Sequence, residues 1–166
     1  FAVRFSWDLE VADVDNDRDL DVLVSCKRCP GSSLFRNGGT GTFTDDPRAL
    51  PQYTNNYEFE VMDLDGDGFL DLVTLNDGGN VDAILRSHRV LRNDAGAGFI
   101  VDAAIWPEAE NPGTFDVAAE FYDYDSDGDP DLVLGGKKSS AGPVFPDRLM
   151  INEGGVFKQW DDAGMM

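Results

Sequence analysis

Three nine-residue stretches of this chain place carboxylates at the same spacing. They are Asp13-Val-Asp-Asn-Asp-Arg-Asp-Leu-Asp21, Asp63-Leu-Asp-Gly-Asp-Gly-Phe-Leu-Asp71 and Asp123-Tyr-Asp-Ser-Asp-Gly-Asp-Pro-Asp131. In each, Asp stands first, third, fifth and ninth, which aims hard oxygens into one small loop. Calcium takes six to eight oxygens at about 2.3–2.6 Å, and a flexible loop of carboxylates with one carbonyl suits it. The expected side-chain ligands are Asp13, Asp15, Asp17 and Asp21; Asp63, Asp65, Asp67 and Asp71; and Asp123, Asp125, Asp127 and Asp131. The seventh residue, Asp19, Phe69 or Asp129, is expected to give its backbone carbonyl, because its side chain varies between acid and aromatic. Gly68 and Gly128 in sixth place permit a sharp turn; Arg18 stands there in the first copy. Three calcium ions are therefore expected, the first site being the weakest.

The elements that must hold these loops also repeat. Before each loop, apolar residues alternate: Phe5, Trp7, Leu9 and Val11; then Tyr57, Phe59 and Val61; then Phe115, Val117, Ala119 and Phe121. A period of two indicates a half-buried strand. After each loop comes an unbroken apolar run, Val22–Val24, Leu72–Leu75 or Leu132–Leu134, as in a strand covered on both faces. A third short stretch ends in Asn37, Asn93 or Asn152, and a Gly-rich turn leads to a fourth strand at Phe43, Phe99 or Phe157. Asn and Gly are read there as suppliers of the positive φ that tight hairpins need. The chain is expected to be all-β: three repeats, at 1–50, 51–110 and 111–166, each a propeller-type blade of four antiparallel strands. The Asp loop joins the first two strands of each blade. The segments 76–87, 106–114 and 137–146 read as exposed loops.

An EF-hand opens with a similar pattern but needs Glu in twelfth place and flanking helices. Val24, Thr74 and Leu134 stand there instead, and the flanks have strand period. Asp and Gly are also ordinary turn formers, but a turn does not demand Asp at four fixed places in three copies.

The three loops, with Leu34–Phe43, Val90–Phe99 and Leu149–Phe157 after them, resemble the FG-GAP and VCBS class of repeats. Such repeats occur in integrin α-subunit propellers, bacterial adhesins and cartilage-acidic-protein-like extracellular proteins. The end Asp161-Asp-Ala-Gly-Met165 looks like a hinge into a further blade. The resemblance implies one Ca²⁺ per loop and a role outside the cell in adhesion, matrix or glycan contact. The literal Phe-Gly and Gly-Ala-Pro signatures are missing, so the likeness is nearer the VCBS side.

Composition narrows the partners. The 166 residues hold 13 Lys and Arg against 32 Asp and Glu, a formal charge of -19. Nucleic acid and anionic membranes are poor partners for that charge. No apolar run approaches the ~18–20 residues needed to span a bilayer. The chain begins at Phe1 without a signal peptide, which reads as a mature product or an excised segment. Closed propellers usually have about four to eight blades, so three imply further blades of a longer chain or copies of itself, as an oligomer or filament.

Cys26-Lys-Arg-Cys29 follows a buried strand rather than opening a helix, which argues against a thioredoxin-like centre. Zinc would need two more ligands, and His88 is the one histidine. A local Cys26–Cys29 disulfide in an exported loop is the reading that fits. His88 itself reads as an exposed loop residue, beside the basic cluster Arg86, Arg89 and Arg92. Without a recognisable catalytic constellation, the chain is expected to be non-enzymatic: an extracellular binding or assembly module with an unknown protein or glycan ligand. The alternative is the accessory, non-catalytic portion of a secreted carbohydrate-active enzyme.

Overall fold

Among the described residues, twelve short strands form three separate four-stranded sheets, each from one contiguous stretch of chain. The computed structural model describes residues 6–27, 29, 31–52, 56–76, 88–107, 116–136 and 146–160. Most of the expected loops at 76–87, 106–114 and 137–146, the alternating residues Phe5 and Phe115, and the expected hinge at 161–165 lie outside them. Sheet 1 holds β1 (Ser6–Ala12), β2 (Asp21–Cys26), β3 (Ser33–Asn37) and β4 (Phe43–Asp45). Sheet 2 holds β5 (Asn56–Met62), β6 (Asp71–Asn76), β7 (Arg89–Asn93) and β8 (Phe99–Val101). Sheet 3 holds β9 (Asp116–Tyr122), β10 (Asp131–Gly136), β11 (Arg148–Asn152) and β12 (Phe157–Gln159). Every neighbouring pair is antiparallel, in simple meander order. Among the described residues there is no helix.

The two apolar cores lie between sheets. One face of sheet 2 (Phe59, Leu72, Leu91, Phe99) packs on Ala12, Val14, Leu23, Leu34, Ala49 and Leu50 of sheet 1 and its following turn. Its other face (Val73, Leu75, Val90), with Leu64 and Trp106, packs on Ala119, Leu132, Leu134, Met150 and Phe157 of sheet 3. This explains the unbroken apolar run of the middle sheet's second strand: β6 is buried along its whole length because both faces are covered.

Polar contacts repeat at the two junctions. The Phe99 N–H donates to the Ala49 carbonyl and the Phe157 N–H to the Ile105 carbonyl, both at 2.7 Å. Along the first strands, Asp8 Oδ2 accepts the Phe59 N–H at 3.1 Å, and Glu58 likewise accepts the backbone N–H of Ala119. Acids gather there. Burial, with Asp8 nearby, pushes Glu58 up to about 7. Burial and the neighbouring Glu58, Glu120, Glu10 and Asp8 push Glu60 up to about 8.

His88 is not an exposed loop residue: it is 1% accessible and joins sheets 2 and 3. Its Nδ1 accepts the Asn76 N–H at 3.1 Å, which leaves the proton on Nε2 to bond Asp116 Oδ2 at 2.7 Å. Arg148 Nη2 reaches the same carboxylate oxygen at 2.5 Å. Desolvation lowers the His88 pKa against the pull of Asp116, so the ring is neutral at physiological pH. Of the basic cluster, Arg86 lies outside the described residues. Arg89 bonds the His88 carbonyl and Arg92 stands 3.6 Å from Asp102. Cys26 and Cys29 are paired as a disulfide at the end of β2, with Cα atoms 5.6 Å apart.

Candidate metal centre

Each Asp loop bridges the first two strands of its sheet, β1–β2, β5–β6 and β9–β10. The ninth Asp anchors it. Asp21, Asp71 and Asp131 are buried, and each accepts two backbone N–H groups. One comes from the second loop residue: Val14 to Asp21, Leu64 to Asp71, Tyr124 to Asp131, at 2.8–3.2 Å. The other comes from the Asn that ends the third strand: Asn37, Asn93 and Asn152, each at 2.8 Å. Burial raises the Asp21 and Asp71 carboxyls, and these N–H bonds pull them back down.

The same Asn residues perform a task the sequence did not suggest. They do not adopt positive φ. Their side-chain amides instead donate to the eighth loop carbonyl, of Leu20, Leu70 or Pro130, at 3.0–3.3 Å. Their Oδ1 atoms accept the N–H of Gly39, Gly96 or Gly155 in the hairpin beyond. The recurrence of Asn at the end of each third strand was the available signal.

The first Asp closes the turn. Asp13 accepts the N–H groups of Asp17 and Arg18, Asp63 those of Gly66 and Gly68, and Asp123 that of Gly128. The fifth, Asp17, Asp67 or Asp127, accepts the N–H of the seventh residue, Asp19, Phe69 or Asp129. Two places per loop have positive φ. The sixth holds Arg18 (76°), Gly68 (90°) and Gly128 (97°), and the fourth holds Asn16 (60°), Gly66 (74°) and Ser126 (65°). The fourth place escaped sequence reading because three residue types share it.

This backbone brings carboxylate oxygens within 4.8 Å of one another in all three copies. The grouped residues are Asp13, Asp15 and Asp17; Asp63, Asp65 and Asp71; and Asp123, Asp125 and Asp127. Asp21 and Asp131, and Asp67 in fifth place of the second loop, stand outside those groups. A cation fits such a donor set, which is all hard oxygen. One atom argues for it directly: Asp15 Oδ1 is buried with no hydrogen-bond partner, an expensive state for a carboxylate oxygen. Its other oxygen is held by Arg36 Nη1 at 2.9 Å. Arg36 also bonds Asp46 and, from Nη2, the Gly96 carbonyl of sheet 2. Gly96 must be glycine here, since its φ is +80° and a Cβ would stand 2.9 Å from that of Asp15. Two further bonds tie the first two sites together: Asn16 Nδ2 to the Gly68 carbonyl and Asn93 Nδ2 to the Val14 carbonyl.

Loop 1, the whole of sheet 1 and loop 2 thus form one continuous, doubly anchored unit. Residues 13–74 match the FG-GAP-like repeat. The match opens at Asp13, the first carboxylate of loop 1, and closes inside β6, just past loop 2. The FG-GAP-like segment therefore contains two of the three candidate sites and the strands between them. The third loop repeats its hydrogen bonds outside the matched segment. No curated protein matches the chain.

Proposed function

We propose that this chain is a calcium-stabilised, propeller-type repeat module that works outside the cell in adhesion, matrix contact or surface assembly, and that it is not an enzyme. The observation that carries the metal assignment is the buried, unpartnered Asp15 Oδ1 inside a carboxylate cluster that recurs in three copies. The first, third, fifth and ninth Asp of each loop would hold the ion by their side chains, with the carbonyl of Asp19, Phe69 or Asp129 completing the set. When bound, calcium supplies charge neutralisation and no reaction chemistry. The loop residues orient one another through backbone N–H bonds, and the ninth Asp transmits that order to the third strand. The propeller reading is supported by successive four-stranded meanders stacked face to face, with their first strands adjacent. A disulfide at Cys26–Cys29 suits an oxidising compartment. Among the described residues no helix is long and apolar enough to cross a membrane. The partners are further sheets of the same kind, and a protein or glycan ligand. Calorimetric titration with calcium tests the assignment: three equivalents are expected, and no heat at millimolar calcium overturns it.

A further inference from the structure

Among the described residues, three hydrogen-bonded links join the first two Asp loops, and none joins the second to the third. In the first link, Asn16 Nδ2, from the fourth place of loop 1, donates to the Gly68 carbonyl of loop 2 at 2.9 Å. In the second, Asn93 Nδ2 donates to the Val14 carbonyl of loop 1 at 2.8 Å and to the Leu70 carbonyl of loop 2 at 3.0 Å. In the third, Arg36 holds Asp15 of loop 1 by Nη1 and the Gly96 carbonyl by Nη2, both at 2.9 Å. Gly96 in turn gives its N–H to Asn93 Oδ1 at 2.8 Å. Asn93 also donates its own N–H to Asp71, the anchor of loop 2, so it stands between that anchor and two routes into loop 1.

The matching places around loops 2 and 3 make no such links. Gly66 holds the place of Asn16 and has no side chain to donate. Asn152 holds the place of Asn93 and gives its amide to Pro130 of its own loop. Arg92 holds the place of Arg36 and stands against Asp102 of its own sheet.

Resting on the calcium reading of the loops, we infer that sites 1 and 2 load as a coupled pair, whereas site 3 loads independently of both. Loop 1 carries Arg18 in sixth place and fills after loop 2. An ion in loop 2 fixes the carbonyls of Gly68 and Leu70, and through them Asn16 and Asn93. Part of the entropy loss of ordering loop 1 has then already occurred when its own ion arrives. Arg36 holds one oxygen of Asp15 and leaves the buried Oδ1 for the cation. Asn16, Arg36 and Asn93 are therefore positioning residues: none is an expected ligand, and each acts through a loop that carries ligands. Couplings through a few hydrogen bonds put the effect of site 2 on site 1 at about tenfold in affinity. Direct repulsion between two dications works in the opposite direction and is screened by salt. The sign of the coupling thus identifies its cause.

Amide NMR of the whole chain during a calcium titration follows each loop separately, through the N–H groups of Arg18, Gly68 and Gly128. Asp65→Asn disables site 2 and Asp125→Asn disables site 3, and both residues are exposed. Loop 1 should weaken about tenfold in Asp65→Asn and keep its affinity in Asp125→Asn. Asn16→Gly breaks one link at a backbone φ of 60° that glycine accepts. It should weaken loop 1 several-fold, and Asp65→Asn should then cost loop 1 less. Equal loop 1 affinities in the two Asp variants at about 0.15 M salt would overturn the coupling. So would a loop 1 that tightens when site 2 is lost. The same loss from Asp65→Asn with and without Asn16 would overturn the hydrogen-bonded route. Three loops that load independently sink only the coupling, whereas no calcium-dependent shift in any loop sinks the calcium reading itself.

Discussion

Asn93 grips both ends of one peptide segment: its backbone N–H donates to Asp71 Oδ1 at 2.8 Å, and its side-chain amide donates to the carbonyl of Leu70 at 3.0 Å. The same amide also reaches the Val14 carbonyl in the neighbouring loop. Replacing Asn93 with Ala leaves these buried carbonyls without that donor. The expected loss is about 2–3 kcal/mol, since an unsatisfied buried polar group costs about 1–3 kcal/mol. Asn37→Ala should cost less, because Asn37 is only half-buried and its amide serves its own loop alone. Urea denaturation of the two variants, in calcium, makes the comparison. Equal losses would mean that the cross-loop bond to Val14 contributes nothing.

Calcium removal should lower the melting temperature. An ion that binds only the folded loops stabilises each by about 2.7 kcal/mol at a hundredfold excess over its Kd. Three divalent ions would also cancel six of the nineteen net negative charges. Magnesium should rescue poorly, because it keeps its waters and demands tighter octahedral geometry. A melt unchanged by EGTA would identify the loops as acidic turns with no structural ion.

The first site should be the weakest. Arg18 sits at φ 76°, where the other two loops have glycine, and a side chain there costs about 1 kcal/mol. Its charge is also carried on the loop that would hold the cation. Arg18→Gly should therefore raise affinity at that site several-fold while leaving the other two alone. Titration calorimetry resolves this, and an unchanged weakest site would refute the argument.

Stability should fall between about pH 4.5 and 8. Glu58 and Glu60 have folded pKa values of about 7 and 8, against an ordinary Glu value of 4.5. A folded state that holds its protons more tightly loses that advantage as pH rises through the folded pKa. The stabilisation is complete below about pH 4.5 and gone above about pH 8. Glu10 and Glu120 contribute by their charge from the two flanking strands. Thermal melts at fixed calcium should show the decline, and Glu60→Gln should flatten it. A parallel slope in the variant would assign the decline to other groups.

The strands were legible because their causes are local. Alternation marked Tyr57, Phe59 and Val61, and the unbroken run Leu72–Leu75 announced two covered faces. The loops were legible from Asp spacing, and Arg18 was legible as a positive-φ position from the glycines that replace it. What could not be read depends on partners far along the chain. His88 finds Asp116 28 residues away, and Arg36 finds Gly96 60 residues away. Neither partner announces itself through composition or period. The fifteen expected metal-site residues all fall in the three loops or open the strand after them, yet the division of labour was hidden. The ninth Asp looks like the other ligands in sequence, and only its burial and two N–H bonds mark it as the anchor.

Placing the cores between sheets imposes an order on synthesis. Sheet 1 can complete its hydrogen bonds as soon as Asp45 has left the ribosome, but Leu23 and Leu34 wait for Phe59, Leu72, Leu91 and Phe99 to be made. The second core waits in the same way for Phe157. A nascent chain halted between Asp45 and Phe99 therefore displays a finished sheet with nothing on its inner face, the kind of surface that chaperones hold and that neighbouring chains on one messenger would exchange.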